Sequence, residues 1–275
     1  MKKRLLFLDL DGTLLNDAKE ITSGNREALE RTLKRGHGVI ITTGRPLKSA
    51  LAQSRRLGLD KPGCYVIAYN GAMVYDWSKQ DTVFSRTLEI PAVIRVFEKA
   101  NEIGEHIQTY DSLDVLVEPR GDDEAVRRYC KMVSMTHRVI DDIHTDLREA
   151  PVKCLVINYE KKDGLLKMQD WIRENLAQMD CFFSCEQFLE VVPKGMNKGE
   201  AVKMLCQKLG VEIENAVAAG DAANDLAMLK AAGIGAAMIN GTDEVKAVAD
   251  FITTRDNNHD GVAEIADRFF YEDAE

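Results

Sequence analysis

Short apolar strands alternate with amphipathic helices at both ends of this chain, and that alternation limits the fold more than any other feature. Strands this apolar need cover on both faces, which argues for a parallel sheet in an α/β fold. Residues 4–10 read as the first strand. A helix follows over 22–35, where Leu29 and Leu33 sit four apart and Gly36 offers a C-terminal stop. The next strand is 39–42. Pro46 then suits the first turn of a helix ending near Gly58. A third strand, 64–69, runs into the turn pair Asn70-Gly71. After Pro193 the simple pattern returns: a helix following Lys198, a strand at 216–219, a helix at 225–232, a strand at 235–239, a helix from Asp243, a strand at 251–254 and a last helix.

The middle has a different texture. Helices are predicted at 91–103, 123–134 and 163–178, with strands at 106–110, 114–118, 152–159, 181–185 and 188–192. Several of these strands neighbour one another, as in an antiparallel sheet with helices on one face. Because the first pattern resumes afterwards, we read a doubly wound α/β core in two parts, 1–83 and 189–275, with a second α/β (α+β) domain inserted at 84–188.

Composition narrows the partners. The 275 residues are 45% hydrophobic and 29% charged, enough apolar content to build a sizeable core. Formal net charge is −9, so the chain lacks the broad basic surface that nucleic acid or an anionic membrane requires. An anionic ligand would need local positive charge. The apolar run from Leu5 to Leu8 is too short for a signal segment, and no stretch approaches a membrane span. The six cysteines lack a zinc or redox spacing, even at Cys181 and Cys185. They are expected to be buried thiols in a reducing cytoplasm.

Four segments carry chemistry. Asp9-Leu10-Asp11-Gly12-Thr13 ends the first strand. Residues two apart on a strand share a face, so Asp9 and Asp11 present paired carboxylates where an open α/β sheet binds ligands. They suit a divalent cation or a divided acid/base pair, and turn or capping acids are the bland reading. Thr42-Thr43-Gly44-Arg45 ends the second strand. There a hydroxyl and the N–H groups of a glycine turn make a phosphate cradle, or Thr43 serves only as a helix cap. Lys194-Gly195-Met196-Asn197-Lys198-Gly199 precedes a helix and brings a lysine to neutralise an anion, unless that lysine is simply solvated. Gly220-Asp221-Ala222-Ala223-Asn224-Asp225 sets three oxygen-bearing side chains at a strand-to-helix turn, as a hard cation such as Mg²⁺ requires and as a helix N-terminus also favours.

All four lie at or just after the end of a strand-like segment, in the order paired Asp, Thr, Lys, then Asp with Asn and Asp. In this the chain resembles the haloacid dehalogenase superfamily of phosphohydrolases, and within it the Cof-type branch, whose Rossmann-like core carries a large inserted α/β cap. Tyr69-Asn70-Gly71-Ala72, the stretch from Val245 to Asp250, and Asp260-Gly261-Val262 extend the resemblance over nearly the whole chain. Asn240-Gly241 departs from it, since a small residue such as Ala is expected after the Asn.

The resemblance implies roles. Asp9 would be the nucleophile that takes the phosphoryl group, and Asp11 would serve the leaving oxygen and then the attacking water. Thr43, with Gly44, would hold phosphate oxygens; Arg45 is a second candidate cation near the phosphate, or else forms a salt bridge that orders the loop. Lys198 would neutralise the transferring group. Mg²⁺ would sit between Asp9, the Asp11 carbonyl and Asp221, with Asn224 and Asp225 as further ligands, phosphate contacts or supports. The expected activity is Mg²⁺-dependent hydrolysis of a small phosphorylated metabolite by a monomer or homodimer that binds neither nucleic acid nor membrane. A phosphomutase of the same chemistry and a non-catalytic binding protein are the alternatives. Cap residues in 84–188 would set specificity.

Overall fold

A computed structural model describes residues 2–271. The chain divides into two units. One contains Met1–Gly44, Ala50–Val83 and Asn197–Glu275; the other contains Arg45–Ser49 and Phe84–Met196.

In the first unit, chain order begins β1 (Leu5–Leu8), α1 (Ser23–Lys34), β2 (Gly38–Thr42), α2 (Leu47–Leu57, whose first residues group with the second unit), β3 (Cys64–Ala68), β4 (Met73–Asp76) and β5 (Asp81–Ser85). The second unit contributes α3 (Ile90–Ile103), β6 (His106–Tyr110), β7 (Val115–Val117), α4 (Glu124–Val133), β8 (His137–Val139), α5 (Ile143–Asp146), β9 (Cys154–Ile157), α6 (Asp163–Asn175), β10 (Met179–Cys185) and β11 (Phe188–Pro193). The first unit resumes with α7 (Lys198–Leu209), β12 (Ala216–Gly220), α8 (Leu226–Ala231), β13 (Ile234–Ala237), α9 (Asp243–Lys246), β14 (Phe251–Ile252) and α10 (Gly261–Ala266).

The first unit is built on an eight-stranded sheet in the order β14-β13-β12-β1-β2-β3-β4-β5. Its six central and left-hand strands pair in parallel, and β4 turns back antiparallel to β3. Every residue of β1 is fully buried, as a strand at the centre of a doubly covered parallel sheet must be. Register matters for function. Leu8 lies opposite Ala219 on one side and Ile41 on the other, so β1, β2 and β12 finish level. The strands β4 and β5, at one end of the sheet, escape the sequence reading. They are short, and along β4 Met73 and Tyr75 are half-buried while Val74 and Asp76 are buried, a pattern of mixed polarity.

The second unit holds a six-stranded sheet in the order β10-β11-β9-β6-β7-β8, antiparallel but for the β7–β8 pair. Cys154 and Val156 of β9 and Leu189 and Val191 of β11 face one way and pack with Val93, Val96 and Phe97 of α3 and Leu165, Met168 and Ile172 of α6. Since β11 lies between β10 and β9, residues 189–193 belong to this sheet, and the unit runs to Met196 instead of ending at 188. β8 and α5, of three and four residues, are also new; they are too short for a periodic signal.

Among the described residues no helix is long and apolar enough to cross a membrane. All six cysteines are free. Five are buried, and Cys185 is exposed, against expectation. It sits where the β10–β11 register shifts, at the tip of the hairpin. Burial pushes the Cys154 thiol up to about 12, which keeps it inert.

Candidate active site

The site forms where the parallel strands finish together. The Asp9 N–H continues the ladder by donating to the Ala219 carbonyl at 3.1 Å, so Asp9 leaves β1 beside the point where Gly220-Asp221 leaves β12. Gly12 then turns the chain at a φ of 85°. A Cβ at Gly12 would stand 2.4 Å from Asp221 Oδ2, so no side chain fits between the two loops. Thr13 donates its hydroxyl to Asp221 Oδ1 at 2.8 Å, and Asn240 Nδ2 donates to the Gly12 carbonyl at 2.7 Å.

Lys198 arrives from α7. Asn197 caps that helix, its side chain accepting from Glu200 N–H at 3.0 Å. A Cβ at Gly199 would stand 2.2 Å from the Ala227 carbonyl, so α7 packs close against α8. The Lys198 side chain is fully buried, and Nζ donates to Asp9 Oδ1 and to Asp225 Oδ1, each at 2.6 Å. Asp225 is fully buried too; its second oxygen accepts from the N–H groups of Asp221 and Ala222 at 3.0 and 3.1 Å. Asp225 thus braces the loop and orients the lysine.

Asp9, Asp221 and Asp225 each bring a carboxylate oxygen within 4.8 Å of the others. Three carboxylates cluster about one ammonium, which is bonded to two of them. Burial, reinforced by Asp225 and Asp221 against the pull of Lys198, holds Asp9 well above the usual carboxylate range. Burial, then the Asp225 charge, pushes Asp221 up to about 6. Lys198 is held above the ordinary lysine range: burial opposes its charge, and the two aspartates more than offset that. The cluster is short of positive charge, and its all-oxygen donor set fits a hard divalent cation.

Asp11, Thr43, Gly44 and Asn224 belong to the same unit as this cluster, and Arg45 to the other. The Asp11 carboxylate lies outside the cluster and pairs with Lys19 Nζ at 2.8 Å, its side chain 41% exposed. Thr43 is buried, and its N–H donates to Ile67 O at 2.9 Å. Gly44 is half-buried, its backbone close against Asn70. Asn224 is half-buried on the turn before Asp225. Arg45 is half-buried and opens the segment that groups with the second unit.

Several supports were invisible in the sequence. Thr13 closes the first motif and Asn240 belongs to the departure from the family pattern, and only the nonlocal fold brings them to Asp221 and Gly12. Gly241, the departure from the family pattern, has a reason: a Cβ there would stand 3.0 Å from both the Asp221 and Met238 carbonyls, and the Thr242 N–H donates to Asp221 O at 2.9 Å.

Residues 6–265 match the model of the haloacid dehalogenase-like hydrolases. This chain belongs to that family. Among solved structures, a haloacid dehalogenase-like hydrolase from Bacteroides thetaiotaomicron superposes with a TM-score of 0.88 at 33% identity, covering 98% of this chain and 100% of the other. The putative phosphatase YxeH of Bacillus subtilis is 32% identical over 94% of this chain and 96% of its own length. The pyridoxal phosphate phosphatase YbhA of Escherichia coli is 30% identical over 96% of this chain and 97% of its own.

Proposed function

We propose that the chain is a Mg²⁺-dependent phosphatase acting on a small phosphorylated metabolite through an aspartyl-phosphate on Asp9. The observation that carries this reading is the Lys198 ammonium 2.6 Å from Asp9, inside a cluster with Asp221 and Asp225. The names of the relatives support the same class of reaction.

Asp9 attacks phosphorus with one carboxylate oxygen, the ester oxygen departs, and water later breaks the new acyl-phosphate bond. Asp11, two residues on, gives a proton to the departing alkoxide and takes one from that water. Lys198 offsets charge on the transferring group, and Thr43 with Gly44 holds its oxygens. Asp9, Asp221 and the Asp11 carbonyl would hold Mg²⁺, with Asn224 and Asp225 at the margin. When bound, the ion screens the phosphate dianion from the carboxylates. Arg45 is proposed as a further phosphate cation, residues 84–196 as the source of specificity, and the cytoplasm as the location, in keeping with six free cysteines.

The test is phosphate release from a panel of phosphomonoesters, pyridoxal phosphate included, with and without Mg²⁺. Metal-dependent release from one or a few compounds is expected. A folded protein that releases phosphate from none of a broad panel would count against the reading.

A further inference from the structure

We propose that Asn70 contacts the phosphoryl group directly, its side-chain amide donating to an oxygen of the phosphate held at the end of β2. This rests on the phosphatase reading and adds a residue to it.

The first observation is backbone strain. Beyond β3 the chain makes three successive left-handed residues: Tyr69 at a φ of 51°, Asn70 at 55° and Gly71 at 111°. Two of them carry a Cβ, which makes this conformation costly. The bend is clamped on both sides. Asn70 N–H donates to Thr43 O at 3.0 Å, which ties it to the Thr43-Gly44 loop. Gly71 lies so close to the start of α7 that a Cβ there would stand 2.4 Å from the Asn197 carbonyl. The bend therefore bridges the loop proposed to bind phosphate and the helix start that carries Lys198.

The second observation is the amide itself. Asn70 is 1% exposed, and among the described residues neither Oδ1 nor Nδ2 has a hydrogen-bond partner. Both atoms lie against the Gly44 backbone, 2.9 and 3.1 Å from where a Cβ at 44 would stand. Burying an amide with both ends unsatisfied is unfavourable, and native folds seldom do so without a reason. Strain and an unsatisfied donor at one residue, beside the phosphate loop, mark a group held ready for a ligand. An amide suits the place: it donates to a phosphoryl oxygen without adding to the negative charge of a site where three carboxylates already outnumber one lysine.

A structural role for Asn70 has one clear basis, the tolerance of Asn for left-handed backbone. Asn70→Gly separates the two, because glycine takes that backbone freely and has no amide. The probe is inorganic phosphate in the presence of Mg²⁺, read as a shift in Tm and as inhibition of phosphomonoester turnover. For Asn70→Gly we expect a phosphate-free Tm no lower than wild type and phosphate binding weakened roughly ten- to a hundredfold. Asn70→Asp, nearly isosteric, should bind phosphate more weakly still, because an anion replaces the donor; it carries the test if the glycine variant does not fold. Wild-type phosphate affinity in either folded variant overturns the assignment while leaving the phosphatase reading standing. Neither turnover nor phosphate binding in the wild type removes that reading, and the assignment with it.

Discussion

Lys198 Nζ lies 2.6 Å from Asp9 Oδ1, with the lysine side chain fully buried and the Asp9 side chain 10% exposed. A buried ion pair of this kind is weak evidence for stability, since desolvating both charges offsets much of their attraction. Here the lysine also answers to Asp225, which is itself held by two backbone N–H groups. The arrangement places one positive charge where a phosphoryl group would meet Asp9.

Lys198→Met should remove that charge while filling most of its volume. Turnover should fall roughly a hundred- to a thousandfold, as when one preorganised donor to the transition state is lost. Breaking a buried pair leaves Asp9 and Asp225 uncompensated and should destabilise the metal-free protein by about 3–5 kcal/mol. Steady-state kinetics and urea unfolding check the two parts separately.

The metal-free protein should lose stability as pH rises from about 4 to above 6. Asp221 has a native pKa of about 6 against an ordinary value of 3.8, chiefly through burial, so the folded state keeps a proton that the unfolded chain releases. Mg²⁺ should raise Tm more at pH 7.5 than at pH 5, because its ligands must be deprotonated to bind. Thermal melts at the two pH values, with chelator and with Mg²⁺, read this directly. An equal Mg²⁺ shift at both would contradict it.

His37 sets a separate acid limit. It is buried and accepts from the Arg4 N–H through Nδ1 at 3.1 Å. Burial, with Arg4 and Arg35 nearby, lowers its pKa from 6.5. A base with a depressed native pKa favours the fold fully above the unfolded value, and that contribution is lost as pH falls below it. His37→Gln, which keeps an acceptor, should therefore gain stability relative to wild type as pH falls below 6.5, and the difference in urea midpoint between the two at each pH reads the His37 contribution apart from the opposite trend at Asp221.

Gly12→Ala should disturb the site through the backbone. The residue would have to hold a φ of 85° with its Cβ 2.4 Å from Asp221 Oδ2. We expect about 1 kcal/mol or more of destabilisation and weaker Mg²⁺ dependence of turnover. Calorimetry and a Mg²⁺ titration of the rate would show both.

Asp9, Lys198 and the Asp221–Asp225 turn, which the structure brings together, could be picked out locally as polar turns at or just after the ends of strand-like segments, whereas the Asp11 carboxylate, read as the partner of Asp9, stands outside their cluster. What was not legible is nonlocal. Strand Phe188–Pro193 reads as well for either unit, and only its pairing with Cys154–Ile157 decides. Asp225 read as a metal ligand or helix cap, and its hold on Lys198 appears only when α7 packs beside α8. Asn70-Gly71 read as a turn; its unsatisfied amide depends on burial that no sequence pattern displays.

The central claim is a covalent phosphoryl group on Asp9. The most direct measurement mixes enzyme, Mg²⁺ and a phosphomonoester that it hydrolyses, quenches in acid, and maps any added phosphoryl group by mass spectrometry. The account predicts the label on the peptide carrying Asp9, and neither label nor turnover in a folded Asp9→Asn variant. Turnover of the Asp9→Asn variant at the wild-type rate, with no label on that peptide in the wild type, would contradict it.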